Sequence, residues 1–176
     1  YISSSDPERL RRVTEFQLSK KDHYRLASEA EKLGIPFFST PVTEDMVSIL
    51  DELCPVFKIA SGDITFEPVI RAAASTGKKI ILSTGCSSTN EIDQAIGWVS
   101  DEVGVQKLPE NLILMQCVSA YPTPCDEANV LSIPFLSEKY GFVVGYSNHV
   151  VGPEACFAAV ALGARLLEVH FTDQKS

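Results

Sequence analysis

Phe142-Val143-Val144-Gly145-Tyr146-Ser147-Asn148-His149 is followed by an alanine-rich segment from Pro153 to Gly163, and then by Leu166-Leu167-Glu168-Val169-His170-Phe171-Thr172-Asp173. The first apolar run predicts a strand, the alanine-rich segment a crossover helix, and the second apolar run another strand. A histidine stands at the carboxyl end of each strand, His149 on the first and His170 on the second. Parallel strands joined by a helix bring those ends to the same edge of a sheet. Two imidazoles delivered to one edge could share a metal ion.

Working outward, the same alternation recurs towards the N-terminus. Ile35-Pro36-Phe37-Phe38-Ser39-Thr40, Val56 to Ser61, Lys79 to Thr84 and Asn111 to Cys117 read as strands. Between them lie helical patterns: one capped by Ser19 and stopped at Gly34, then Thr43 to Leu53, Pro68 to Ser75, Ser88 to Val99, and a helix within Asn129 to Tyr140. Ser19 with Asp22, and Ser88 with Glu91, place an acid three residues after a hydroxyl cap. His23 falls on a polar helix face and gains no role. The segment before Leu18 is polar and reads as loop with a short helix.

Six strands alternating with helices describe stacked βα units. The strands are near-continuous apolar runs, as strands buried on both faces are. They end in small polar residues or histidine, and such ends line the active mouth of a (β/α)8 barrel. A doubly wound open sheet shares the alternation but does not need polar ends on every strand, so the barrel is the favoured fold. A complete barrel needs eight units and roughly 250 residues, whereas this chain has 176. The expectation is a partial barrel over residues 1–176, with two units preceding Tyr1.

Net charge of −8 and a pI near 4.9 argue against a nucleic-acid or acidic-membrane surface. No apolar run approaches the ~20 residues of a membrane span. Five cysteines, Cys54, Cys86, Cys117, Cys125 and Cys156, form no CxxC pair and read as buried free thiols in a reducing compartment. Cytoplasmic is the default location.

Five motifs in order carry a resemblance: Phe57-Lys58-Ile59-Ala60-Ser61-Gly62-Asp63, Ile81-Leu82-Ser83-Thr84-Gly85, Gln116-Cys117-Val118-Ser119-Ala120-Tyr121-Pro122-Thr123-Pro124, Val144-Gly145-Tyr146-Ser147-Asn148-His149 and Glu168-Val169-His170-Phe171-Thr172. Together, over about Phe16 to Thr172, they resemble the strand ends of N-acetylneuraminate (sialic acid) synthases and their pseudaminic and legionaminic acid relatives. The resemblance implies a (β/α)8 barrel that condenses phosphoenolpyruvate with N-acetylmannosamine, its 6-phosphate or a related acylated amino hexose, releasing phosphate. It implies His149 and His170 as ligands of a divalent metal, Mn2+ first, with Mg2+ or Co2+ as alternatives. Two protein ligands leave positions open for substrate, as a catalytic site requires.

The resemblance also places Thr40, Lys58, Ser61, Ser83, Ser119, Tyr121, Ser147 and Asn148 against the substrates, and Glu168 and Tyr121 in catalytic positions. Lys58 suits an anion as a point charge. Glu168, two residues before His170, faces the same way along its strand and could instead orient that histidine. Asp63 reads equally as a turn residue. Serines and threonines also terminate strands for purely structural reasons. The family's first-strand glutamate and second-strand lysine find no counterpart here. The family's C-terminal antifreeze-like domain, which crosses to a partner barrel in a homodimer, has none either. Asn148 stands where many bacterial members have Asp, and Val169 where Lys or Arg is common. A 3-deoxy-heptulosonate or 3-deoxy-octulosonate phosphate synthase, or a non-catalytic phosphoenolpyruvate- or sugar-binding relative, is the alternative reading.

Overall fold

The computed structural model describes residues 7–172. Two compact units divide between Phe37 and Phe38. The first holds α1 (Pro7–Glu15) and α2 (Lys20–Lys32). Ser19 caps α2 in a complete capping box with Asp22, as its sequence predicts. His23 departs from expectation. It is only 5 % exposed, and its Nδ1 lies 3.0 Å from the Ser19 carbonyl oxygen.

The second unit is a parallel sheet with its helices. After α3 (Glu44–Asp51) come β1 (Val56–Ile59), α4 (Glu67–Ser75), β2 (Lys79–Ser83), α5 (Thr89–Val103) and the short α6 (Leu108–Asn111). Then follow β3 (Leu112–Gln116), α7 (Ser132–Tyr140), β4 (Val143–Asn148), α8 (Glu154–Ala161) and β5 (Leu167–Val169). The order across the sheet is β1-β2-β3-β4-β5, every neighbour parallel. A doubly wound sheet reverses its order at a switch point, and this one never does. Right-handed crossovers in one direction put all the connecting helices on one face.

The sheet also curls. β1 and β5 are four strands apart, roughly 19 Å along a flat sheet at 4.8 Å per strand. Yet Lys58 Nζ on β1 lies 3.7 Å from Glu168 Oε2 on β5. Two side chains cannot bridge that flat distance, so their contact requires a concave arc. The parallel arc alternating with helices is a partial (β/α)8 barrel.

Pleating sorts the strand residues by face. Phe57, Ile59, Leu82, Leu114 and Val144 share the convex face through the register. There the helices bury Val69, Ala73, Ile92, Val99, Ile133 and Ala159. The core is therefore the layer between sheet and helices. On the concave face the register aligns Lys58 with Ile81, Ser83 with Met115, Met115 with Gly145, and Ser147 with Glu168.

Five strands stand where six were expected among the described residues. Ile35 to Thr40 forms no strand. The Ile35 amide donates to the Ala30 carbonyl at the end of α2, and Pro36 has no amide to offer a ladder. Of the cysteines, all free, Cys54, Cys117 and Cys156 are buried as expected, while Cys86 and Cys125 are exposed. No helix among the described residues is long and apolar enough to cross a membrane.

Candidate active site

The carboxyl ends of the strands converge on a polar hollow of about 490 Å3. Lys58 reaches into it from β1 although only 7 % exposed. Its ammonium donates to Ser83 Oγ at 2.7 Å and to the Ile59 carbonyl at 3.3 Å, and faces Glu168 across the arc. Thr40, Ser61, Ser119, Ser147 and Glu168 line the same hollow. A buried ammonium needs such partners, because desolvation alone would make its charge costly.

The loop after β2 completes the floor. Gly85 N donates to Ser61 Oγ at 3.0 Å, and Cys117 Sγ lies 3.0 Å from that same oxygen. A Cβ at Gly85 would come within 2.8 Å of both Ser61 Oγ and Cys117 Sγ, and 2.9 Å from Ser119 Oγ. Only glycine allows this close approach. Sequence reasoning gave neither Gly85 nor Cys117 a role. The signal for Cys117 was available, since it lies two residues beyond Met115 and hence faces the same way.

His149 and His170 meet at the rim, their ring centroids 5.4 Å apart. His149 Nδ1 lies 2.6 Å from the Val118 carbonyl oxygen. That acceptor draws the ring proton to Nδ1 and leaves Nε2, 3.4 Å from Ser147 Oγ, as the nitrogen with a free lone pair. Tyr121 covers both rings. Its centroid is 4.1 Å from that of His149, and it stands edge-on to His170 at 5.8 Å. Among the described residues no group of three or more His, Cys, Asp and Glu side chains assembles in metal-binding geometry. An ion here would take two imidazoles and fill its remaining positions from outside the chain.

Asn148 lines not this hollow but an adjoining, more apolar one of about 570 Å3, together with Val150, Val151 and Cys156. Strand alternation turns its side chain away from Ser147 and His149. Its Nδ2 donates to the carbonyls of Val150 at 3.0 Å and Gly152 at 3.2 Å, and its Oδ1 accepts from Val150 N at 3.1 Å. The amide thereby shapes the loop after β4. Asp63 ends the short 3-10 turn after β1. Its burial pushes the carboxyl above its ordinary value, and it lines neither this hollow nor the one beside it.

Known proteins share this arrangement of chain. An uncharacterized protein of Methanocaldococcus jannaschii is 44 % identical over 161 residues, 91 % of this chain and 46 % of its own length. The N,N'-diacetyllegionaminic acid synthase of Campylobacter jejuni is 38 % identical over 175 residues, 99 % of this chain and 52 % of its own. The crystal structure of N-acetylneuraminic acid synthetase from Leptospira borgpetersenii, in complex with citrate, superposes with a TM-score of 0.82 at 36 % identity. It covers 90 % of this chain, which in turn covers 54 % of it. The chain spans about half the length of the curated relatives it matches. The sequence model of the NeuB family matches residues 3–176, and the chain belongs to that family.

Proposed function

We propose that the complete protein condenses phosphoenolpyruvate with an N-acylated amino hexose to give a sialic-acid-type nonulosonic acid, releasing inorganic phosphate. The observation that carries this reading is the meeting, on one concave strand edge, of a lysine-and-hydroxyl hollow with an imidazole pair. Membership of the NeuB family, with relatives named as legionaminic, pseudaminic and sialic acid synthases, supports it. The acceptor is N-acetylmannosamine, its 6-phosphate or a 2,4-diacetamido hexose. The working protein is a cytoplasmic homodimer.

Phosphoenolpyruvate carries a phosphate and a carboxylate. Lys58 is the fixed cation for one of them, and Ser61, Ser83, Ser119 and Thr40 are neutral donors around it. Charge-assisted hydrogen bonds to such an ammonium are the strong ones. His149 and His170 would hold a divalent cation, Mn2+ first, with Mg2+ or Co2+ as alternatives, which when bound supplies Lewis-acid polarisation of the acceptor aldehyde. With its Nδ1 proton engaged by the Val118 carbonyl, His149 presents Nε2 as the ligating nitrogen. Tyr121 packs against both rings and helps keep them in place at the rim.

In the reaction, C3 of phosphoenolpyruvate attacks the aldehyde carbon of the open-chain sugar and forms the new carbon–carbon bond. Water adds at C2 and its oxygen becomes the keto oxygen as the C2–O bond to phosphate breaks, while its two protons end on the former aldehyde oxygen, now a hydroxyl, and on the departing phosphate. One water is consumed and one phosphate released. Glu168, on the concave face beside Lys58, is the carboxylate placed to take the proton from that water.

The test is phosphate release from phosphoenolpyruvate plus each candidate sugar, with Mn2+ and again with chelator. Release that needs both substrates is the expected result. Silence with every sugar, alongside retained phosphoenolpyruvate binding, would overturn the reading in favour of a binding protein.

A further inference from the structure

We infer that Cys117 is a positioning residue for the anion: its thiol, by donating to Ser61 Oγ, turns the Ser61 hydroxyl proton towards the hollow. This inference rests on the function proposed above and adds to it a residue that acts through another. Ser61 follows β1, Gly85 follows β2 and Cys117 follows β3, so three successive strand ends meet at one oxygen. Gly85 N donates to Ser61 Oγ at 3.0 Å, and Cys117 Sγ lies 3.0 Å from the same atom. Cys117 lines the hollow although only 6 % exposed.

A serine oxygen has two lone pairs and one proton. With one lone pair filled by the Gly85 N–H, the thiol decides what the hydroxyl does. In the empty hollow the hydroxyl can donate to sulfur. An anion is a far stronger acceptor than a thiol sulfur, so when one enters, the Ser61 proton turns to it. A partner able only to accept, such as a carbonyl, would then set lone pair against lone pair. A thiol reverses its role instead and donates S–H to the oxygen, filling the second lone pair. All that Ser61 then has left to offer is its proton. Ser83 is committed in the same sense, because its oxygen accepts from Lys58 Nζ. The two hydroxyls thus present protons, beside an ammonium, to a phosphate and a carboxylate that carry only acceptors.

The backbone holds this triangle before any ligand arrives. Thr84 N and Thr84 Oγ1 each donate to the Met115 carbonyl at 3.0 Å, which pins the loop after β2 to β3 two residues ahead of Cys117. Gly85 lacks the Cβ that would strike Ser61 Oγ and Cys117 Sγ, each 2.8 Å from where it would stand. Alanine at position 117 could neither donate nor accept. Serine there keeps a group that does both, at a slightly shorter reach.

Calorimetric binding of phosphoenolpyruvate to the complete protein, without sugar, tests this. Cys117→Ala should weaken binding roughly 5- to 10-fold, the scale of one neutral hydrogen bond, and Cys117→Ser should recover most of that loss. Carried into Ser61→Ala, the Cys117→Ala change should cost less than about twofold, because the residue it acts through is gone. An infrared difference spectrum adds a readout that packing would not move. Phosphoenolpyruvate should shift to lower wavenumber an S–H stretching band that Cys117→Ser lacks. Equal losses in the wild-type and Ser61→Ala backgrounds, or an S–H band that phosphoenolpyruvate leaves in place, overturn this inference alone. A wild-type protein that binds no phosphoenolpyruvate overturns the proposed function, and the inference falls with it.

Discussion

Replacing Lys58 by methionine isolates the anion-binding half of the site. The side chain keeps most of its length and loses its charge. Lys58 Nζ sits 2.7 Å from Ser83 Oγ and 3.7 Å from Glu168 Oε2, so an anion entering the hollow meets an ammonium already held in place. At about 4 Å and an effective dielectric near 20, a pair of unit charges attracts by about 4 kcal/mol. Competition from Glu168 for the same ammonium reduces the net gain, and measured charge-assisted bonds contribute about 1.5–3 kcal/mol. Taking about 2–3 kcal/mol, KM for phosphoenolpyruvate should rise roughly 30- to 150-fold, since 1.4 kcal/mol is about tenfold.

Loss of the fold would mimic that result, and the structure says it should not occur. Removing one partner of an ion pair destabilises when the other charge is left buried and unpaired, but Glu168 is partly open to water, with 44 % of its side chain exposed, and water takes the place of the ammonium. Thermal melting without ligand should therefore stay close to wild type, while the upward shift on adding phosphoenolpyruvate disappears. The Lys58→Met/Glu168→Gln double variant should recover part of the lost affinity, because it removes the carboxylate that would otherwise repel the incoming anion. A phosphoenolpyruvate KM within twofold of wild type in folded Lys58→Met would refute the assignment of the polar hollow to that substrate.

Gly85→Ala should raise the phosphoenolpyruvate KM by about 10-fold, because its Cβ would displace Ser61, Cys117 and Ser119 together; kinetics beside circular dichroism measure it, and an unmoved KM denies the hydroxyl floor. His149→Ala and His170→Ala should each weaken Mn2+ retention at least 10-fold, read by metal content after dialysis and by Mn2+ electron paramagnetic resonance; equal retention would remove the imidazole pair as ligands. Hydrogen bonds from Ser88, from its backbone amide first and its hydroxyl next, hold Glu91 below its ordinary value. A depressed carboxyl stabilises above its unfolded value and loses that effect as pH falls through its folded value, so Glu91→Gln should flatten melting temperature against pH below about 4.5; an unchanged acid slope would count against the cap.

The strands and helices of the arc were legible because each is specified locally. Buried parallel strands are apolar runs, and Ser19 and Ser88, each with an acid three residues on, announce the helices that start directly after them. What escaped was decided by partners distant in sequence or by backbone geometry. Ile35 to Thr40 has the composition of a strand, but α2 takes the Ile35 amide. His23 has polar neighbours along α2, and the fold buries it regardless. Asn148 lines the hollow beside the imidazole pair, but that its amide also bonds Val150 and Gly152, two and four residues ahead, depends on the path of the loop. The two histidines, Lys58 and Glu168 were legible because strand alternation fixes which side chains share a face. How near Lys58 comes to Glu168 was not, since that depends on how sharply the sheet curls.

Glu168 and His170 reach the concave face only because β5 is held in one register against β4. Tyr146 N donates to the Leu166 carbonyl and Arg165 N to the Val144 carbonyl, each at 2.9 Å, and Ser147 then stands opposite Glu168. A slip of one residue would turn Glu168 and His170 towards the helices and present Val169 instead. Gly145 permits the correct register: a Cβ there would lie 2.7 Å from the Leu166 carbonyl oxygen and would also strike Met115. The ion pair across the arc, the imidazole pair and the boundary between the polar and apolar hollows all descend from that close approach. A residue that touches neither hollow thus governs what both of them contain.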